Sequence, residues 1–276
     1  MLEPRLTPAR PDLAAAHLQG KVEAARFVEG RSASIVAPSV ALQRRPEASA
    51  PWESEALFGE SATVYDERDG WAWVQLERDG YVGYLESAAL GPATRPTHRI
   101  SALRAHAYPG PSIKTPHALA LSLGARVEIV ADAGDFLVDA AGRHFWARHL
   151  AAVGSAEPDF VAVAEKFEHC PYLWGGRTSL GVDCSGLTQA ALTAAGIAAP
   201  RDSDMLERLG DGVPPDEPLK RGDLVFWKGH VGVMRDPVTL LHANGYHMAV
   251  ACEPLATAKA RIAASGGGGI TSIRRL

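Results

Sequence analysis

Cysteine is scarce in this chain: its 276 residues include three, Cys170, Cys184 and Cys252. So small and odd a number excludes a disulfide framework, and with it the small stapled domains of the secreted world. Charge of one sign is missing too. Twenty-eight basic and 32 acidic residues leave a formal charge of −4 with no block of like sign, so the chain offers no basic field for nucleic acid. No apolar run reaches the roughly 18 residues that suggest a membrane-spanning helix. The opening stretch "MLEPRLTPARPDLAAAHLQG" has charges and prolines where a secretory signal would keep an unbroken apolar core. Together these absences lead us to expect a soluble protein of a reducing compartment, most simply the cytoplasm. What is present, 46% hydrophobic and 22% charged residues, is enough to build sizeable cores, and the length predicts two or three domains.

The character of the chain changes along its length. Residues 1–30 read as a proline-punctuated arm with a short helix over "LAAAHL", Asp12 standing at its N-cap position. In residues 31–95, "SIVAPSVALQ", "SATVYDE", "WAWVQLE" and "YVGYLE" are short β-prone runs, with Asp-Gly turns at Asp69-Gly70 and Asp79-Gly80. Runs at that spacing predict a small antiparallel barrel. Residues 96–154 echo it loosely, "SLGARVEIVADAGDFLVD" after "LFGESATVYDERDGWAWV" and "HFWARHLAAV" after "YVGYLESAAL". An offset of about 60 to 65 residues predicts a tandem pair of small β-domains. From residue 155 to 276 the pattern changes again. Phe160, Val163, Ala164 and Phe167 share a helical face, and "CSGLTQAALTAAGI" predicts a second helix stopped by Gly196. "DLVFW", "HVGVM", "TLLHA" and "MAVACE" then read as strands of an antiparallel meander, which makes this part an α+β domain.

The chemistry gathers in "YLWGGRTSLGVDCSGL", residues 172–187. A nucleophilic cysteine must have its thiolate favoured, and Cys184 stands where a helix begins, at unpaired N–H groups and a positive dipole end. The same donors suit a developing oxyanion. A buried structural thiol is the competing reading of Cys184 alone. Asp183 could cap the helix or orient a substrate. His230 in "GHVGVM" and His242 in "LLHANG" lie in strand-like runs, where an imidazole needs a polar partner. His230 is the candidate base, and His242 the group that fixes its tautomer. Zinc on Cys184, His230 and His242 is the rival use of the same side chains, but no Cys-x-x-Cys or His-Glu-x-x-His spacing accompanies them. No metal or other cofactor is therefore expected. Cys170 and Cys252 read as structural.

Tyr172-Leu-Trp-Gly-Gly, Asp183-Cys-Ser-Gly-Leu, Arg221-Gly-Asp-Leu-Val-Phe-Trp, Gly229-His-Val-Gly-Val and Leu241-His-Ala, in that order, closely resemble the NlpC/P60 papain-like cysteine peptidases. The resemblance covers about residues 157–276. It implies hydrolysis of cell-wall peptides, with Cys184 as nucleophile, His230 as base, His242 as third polar residue and the Tyr172 hydroxyl polarising the carbonyl. The β units resemble the bacterial SH3-like domains that accompany this catalytic domain in murein-peptide dipeptidyl-peptidases. Two SH3-like barrels before a papain-like α+β domain are thus the expected architecture. The resemblance further implies γ-D-glutamyl–diamino acid cleavage of murein stem peptides with a free N-terminal L-Ala, releasing L-Ala-D-Glu. Glu60, Tyr81, Asp202 and Ser203 would contact or close around the α-amino group, and Trp174, Asp183 and Ser185 would line the pocket. On the residues alone, Glu60 could equally be a solvated strand-end charge and Asp202 a helix N-cap. Tyr81 and Tyr84 fall on opposite faces of a strand, so one of them faces the pocket. An acyltransferase using the same thioester, or a wall-peptide-binding module, remains a rival to the hydrolase.

Overall fold

The structure, a computed structural model describing residues 2–276, divides into two compact units, one ending at Val153 and the other spanning Gly154–Leu276. Among the described residues no helix is long and apolar enough to cross a membrane.

In the first unit, the arm does not form the expected helix. Ala14–Ala15 pairs in parallel with Phe27–Val28, and only a 3₁₀ turn, Ala16–Leu18, follows. Asp12 caps nothing there; its carboxylate takes the Arg10 guanidinium instead. Alanine's helix preference is a weak force and yields there to strand pairing, with no side-chain cap to hold a helix start. The β-prone runs after it assemble into a seven-stranded sheet ordered Trp52–Leu57, Ser39–Gln43, Val82–Glu86, Trp71–Leu76, Ser61–Arg68, Arg31–Ile35, Leu90–Gly91. Alternate residues turn inward, so Ile35, Leu42, Val64, Val74, Leu76 and Leu85 meet in one core. Asp69 and Gly70 both take positive φ and close the Ser61–Arg68 and Trp71–Leu76 hairpin, as the Asp-Gly pair predicts.

The echoed stretch forms a five-stranded sheet and a three-stranded one around Ile100, Leu121, Val127 and Phe145. Both echoes end alike. Val82–Glu86 runs into the 3₁₀ turn Ser87–Ala89 and the strand Leu90–Gly91; His144–Trp146 runs into Ala147–His149 and Leu150–Ala152.

The second unit packs helices on a six-stranded antiparallel sheet. Its strands run Asp211–Gly212, Ser272–Arg275, Leu224–Trp227, His230–Met234, Thr239–Asn244, Ala249–Pro254. The helix Phe160–Glu165 is capped by Asp159, whose carboxylate accepts the Val161 and Ala162 N–H groups. Cys184–Ala194 is the buried helix, with all but one of its residues inside. Val161, Leu192, Leu206, Leu224, Phe226, Val231 and Val233 form the core between helices and sheet, and the Cys184 side chain borders it. The chain does not end with the meander. A helix, Leu255–Ala264, follows the fourth meander strand, and Ser272–Arg275 returns to pair with Leu224–Trp227.

Candidate active site

The glycine turn is held against the start of the buried helix. Gly175 takes φ +77°, and a Cβ on Gly186 would meet the Gly176 carbonyl oxygen at 2.3 Å. Only glycine allows that approach. Asp183 is the N-cap. Its Oδ1 accepts from Gly186 N at 2.7 Å, Arg201 Nη1 at 3.0 Å and Ser185 Oγ at 3.3 Å, while Oδ2 accepts from Gly175 N at 2.9 Å and Arg201 Nη2 at 2.7 Å. Of the two roles expected for this carboxylate, capping is the one its oxygens serve. Ser185 sits in the same network, its Oγ also accepting from Arg201 Nη1 at 2.7 Å. Arg201 is 1% exposed. A buried ion pair this well hydrogen-bonded stays because each charge compensates the other's desolvation.

Cys184 is the first residue of the helix and is 7% exposed. Burial, and next the Asp183 charge, push its thiol up to about 12, against a hydrogen bond from the Val231 backbone that lowers it. That bond places the sulfur beside the strand residue that follows His230. Tyr172 is half-buried. Burial and the charges of Cys184 and Asp183 hold its hydroxyl above the ordinary range, so it stays protonated and can donate. Its backbone is tied down on both sides, through Tyr172 N to Met248 O at 2.9 Å and a bridge to Val182.

The two histidines meet. His230–Met234 and Thr239–Asn244 pair with Val233 opposite Leu241 and Met234 opposite Leu240. That register puts His230 and His242 diagonally on one face, where His230 Nε2 lies 2.8 Å from His242 Nδ1. Gly232 makes room: a Cβ there would lie 3.2 Å from the His242 Cβ. The chain enters this strand through Lys228-Gly229, and the pair Trp227 and His230 closes the hairpin, ring centroids 5.7 Å apart. Burial is the main cause that drives His230 down to about 3 and His242 down to about 4. Both imidazoles are therefore neutral near pH 7.

Sequence reasoning missed what stands behind His242. Its Nε2 lies 2.9 Å from Glu253 Oε1 on the next strand, and Glu253 is ion-paired with Arg261. Arg261 lies 4.3 Å from the Tyr246 ring centre. The only warning in the sequence was a glutamate at the end of the apolar run "MAVAC". His242, His247 and Glu253 also bring potential ligand atoms within 4.8 Å of one another. In that group His242 and Glu253 are already bonded to each other, and Cys184 is not a member. All three cysteines are free thiols.

The remaining expected residues lie as follows. Trp174 is 66% exposed. Asp202 occupies the N-cap position of Ser203–Leu206 but makes no side-chain cap bond, and both Asp202 and Ser203 are half-buried. In the other unit Glu60 is no solvated charge. It is 2% exposed, accepts from Leu57 N at 2.9 Å and pairs with Arg78 at 3.0 Å. Tyr81 is 1% exposed among the core side chains, while the hydroxyl of Tyr84 accepts from Arg10 Nη1 at 2.9 Å.

Comparison with known proteins settles the kinship. Residues 42–90 match the bacterial dipeptidyl-peptidase Sh3 domain, and residues 169–262 match the NlpC/P60 family. A γ-D-glutamyl-L-lysine dipeptidyl-peptidase of Bacillus subtilis (strain 168) is 31% identical over 218 residues, spanning 69% of this chain and 72% of the relative. The chain belongs to the NlpC/P60 family. A protein of the same name from Bacillus cereus is 27% identical over 238 residues, with 74% and 71% covered. The fold agrees: the crystal structure of an NlpC/P60 family protein from Bacillus cereus ATCC 10987 superposes with a TM-score of 0.75 at 21% identity, over 89% of this chain and 99% of that one. For this NlpC/P60 protein an N-terminal SH3-like domain and a peptidase-type C-terminal domain follow.

Proposed function

We propose that this protein is a cysteine peptidase that cuts the γ-D-glutamyl–diamino acid bond of murein stem peptides bearing a free N-terminal L-Ala, releasing L-Ala-D-Glu during recycling of wall peptides in the cytoplasm. The observation that carries the reading is the helix-initial thiol of Cys184 held by the Val231 backbone, one residue after His230, which in turn pairs with His242. The names of the Bacillus relatives support the bond and the dipeptide release.

The resting pair is a neutral thiol and a neutral imidazole, because burial raises Cys184 and lowers His230. His230 takes the thiol proton as Cys184 Sγ attacks the γ-carbonyl carbon. The Cys184 N–H at the helix start and the Tyr172 hydroxyl hold the oxyanion. His230 returns the proton to the leaving amine of the diamino acid, the C–N bond breaks, and a thioester remains. Water, deprotonated by His230, attacks the thioester, and the thiol regains its proton as the dipeptide leaves. Within the catalytic unit, the Asp202 carboxylate reads the free amine with Ser203 beside it, whereas Glu60 and Tyr81 are buried inside the other unit. Trp174, with Asp183 and Ser185 at the helix start, shapes the pocket. Residues 96–154 form a second SH3-like barrel with an architectural role.

Mass-spectrometric product analysis tests this on L-Ala-γ-D-Glu-meso-diaminopimelate, its L-Lys counterpart and their N-acetylated forms. Release of L-Ala-D-Glu from the free-amine peptides alone is expected. Cleavage of the acetylated peptides as well would remove the amine-reading pocket. Amide products with an added amine acceptor would favour the acyltransferase, and binding without turnover a wall-peptide module.

A further inference from the structure

Three adjacent strands carry a diagonal row of side chains on one sheet face: His230, His242 and Glu253. The pairing of Leu240 with Glu253 and of His242 with Ala251 brings Glu253 diagonally beside His242. The distances are 2.8 Å from His230 Nε2 to His242 Nδ1 and 2.9 Å from His242 Nε2 to Glu253 Oε1. The row ends in Arg261 on the following helix, paired with the same Glu253 oxygen. His242 is fully buried, and Glu253 is 8% exposed.

A carboxylate only accepts, so the hydrogen between His242 and Glu253 belongs to His242 Nε2. A neutral imidazole carries one such hydrogen, which leaves His242 Nδ1 as an acceptor. The hydrogen in the contact between the two histidines then belongs to His230 Nε2. That leaves His230 Nδ1 with its lone pair. We propose that Glu253, seated on Arg261, is a positioning residue that fixes both tautomers in this order and so selects His230 Nδ1 as the atom that receives the thiol proton. This rests on the cysteine-peptidase reading above. Without the carboxylate, His242 can carry its hydrogen on Nδ1 and donate to His230 Nε2, which would place the His230 hydrogen on Nδ1 and remove the base.

The charges around the pair are few. Glu253 faces His242 from one neighbouring strand and His230 from the other; Arg261 comes from the helix and His247 from the hairpin loop, while the buried helix brings the Cys184 thiol to the Val231 backbone. Arg261 works against protonation of both histidines, and Glu253 works for protonation of His242. Removing one or the other should therefore move the acid limb of the activity profile in opposite directions. Purely structural damage would not do that.

The test begins with the imidazole ¹⁵N spectrum of the full chain, assigned with single histidine variants. Nε2–H tautomers are expected for both His230 and His242, and an Nδ1–H form of His242 would overturn the proposal. Alkylation of Cys184 by iodoacetamide, read on its own peptide by mass spectrometry across pH, needs no substrate. Glu253→Leu should slow it and lower kcat by roughly 10²-fold with KM nearly unchanged, and should shift the acid limb to lower pH. Arg261→Met keeps the carboxylate on His242 and should shift the limb to higher pH. An acid limb unmoved in both variants overturns the proposal. If Glu253→Leu does not fold, the wild-type spectrum and Arg261→Met still decide. Tautomers and alkylation that respond as expected in a protein that cuts no stem peptide would uphold the positioning role while the substrate reading falls.

Discussion

Two buried carboxylates of the catalytic unit are each paired with an arginine, and the pairs behave differently. Asp183 gives every acceptor site to local donors: two backbone N–H groups, a serine hydroxyl and both ends of the Arg201 fork. Nothing is left over to act on a reacting group, and the pair locks backbone. It fixes the turn, the helix start and hence the place of Cys184. Glu253 instead gives an oxygen to an imidazole. Its partner Arg261 is also more open, at 20% side-chain exposure against 1% for Arg201. The first pair positions atoms, whereas the second sets where a proton sits. The same two functional groups serve rigidity or polarity according to what the remaining lone pairs touch.

The scale for breaking this contrast comes from the nucleophile. Cys184→Ala should remove stem-peptide cleavage, a loss of about 10⁴-fold or more, equivalent to about 5 kcal/mol of barrier, seen in single-turnover product analysis. Arg201→Met should come next, lowering the unfolding free energy by about 3–5 kcal/mol in urea titrations, because Asp183 would be left as an uncompensated buried charge. Arg261→Met should cost about 1 kcal/mol by the same measurement, since water reaches that pair. Equal losses in the two variants would erase the distinction. Acid sharpens it. His230 and His242 are held below their ordinary 6.5 in the folded protein, so below that pH the unfolded chain binds more protons. Stability is full above about 6.5 and should fall as pH drops toward about 4, by up to about 1.4 kcal/mol per pH unit for each histidine. His242→Asn should flatten that slope in pH-dependent urea unfolding. The smallest effect lies in the other unit, where Arg10 covers Trp73 at 4.4 Å and pairs with Asp12 and Asp66. Arg10→Ala should lower stability by about 1 kcal/mol, measured as a shift in urea midpoint.

The contrast also explains what could be read from sequence. Cys184 at a helix start and two histidines in strands are local patterns, and the fold keeps each in that element, but the expected favouring of the Cys184 thiolate is not found, because burial pushes the thiol up to about 12. Asp183 was legible as a cap because a cap bond reaches only three residues along the chain. Arg201 was not, since its contact with Asp183 exists only once the chain has folded back. Glu253 needed the register of three strands, and Arg261 needed a helix that has a single buried residue, Ala258, and so gives almost no apolar periodicity. Glu60 misled for the same reason: a lone charge at a strand end looks solvated until Arg78 is found beside it. The expected arm helix failed at Ala14–Ala15, where alanine's helix preference yielded to pairing with Phe27–Val28.

The tight Lys228-Gly229 hairpin has a spectroscopic consequence. By setting Trp227 opposite His230 it holds a buried indole tilted at 42° beside the base, and the Trp227 residue is only 2% exposed. A protonated imidazole quenches indole emission where a neutral one does not. The light Trp227 emits thus follows the charge on His230, so each proton the base gains or gives up during turnover should register as a dip or recovery in fluorescence, without any label.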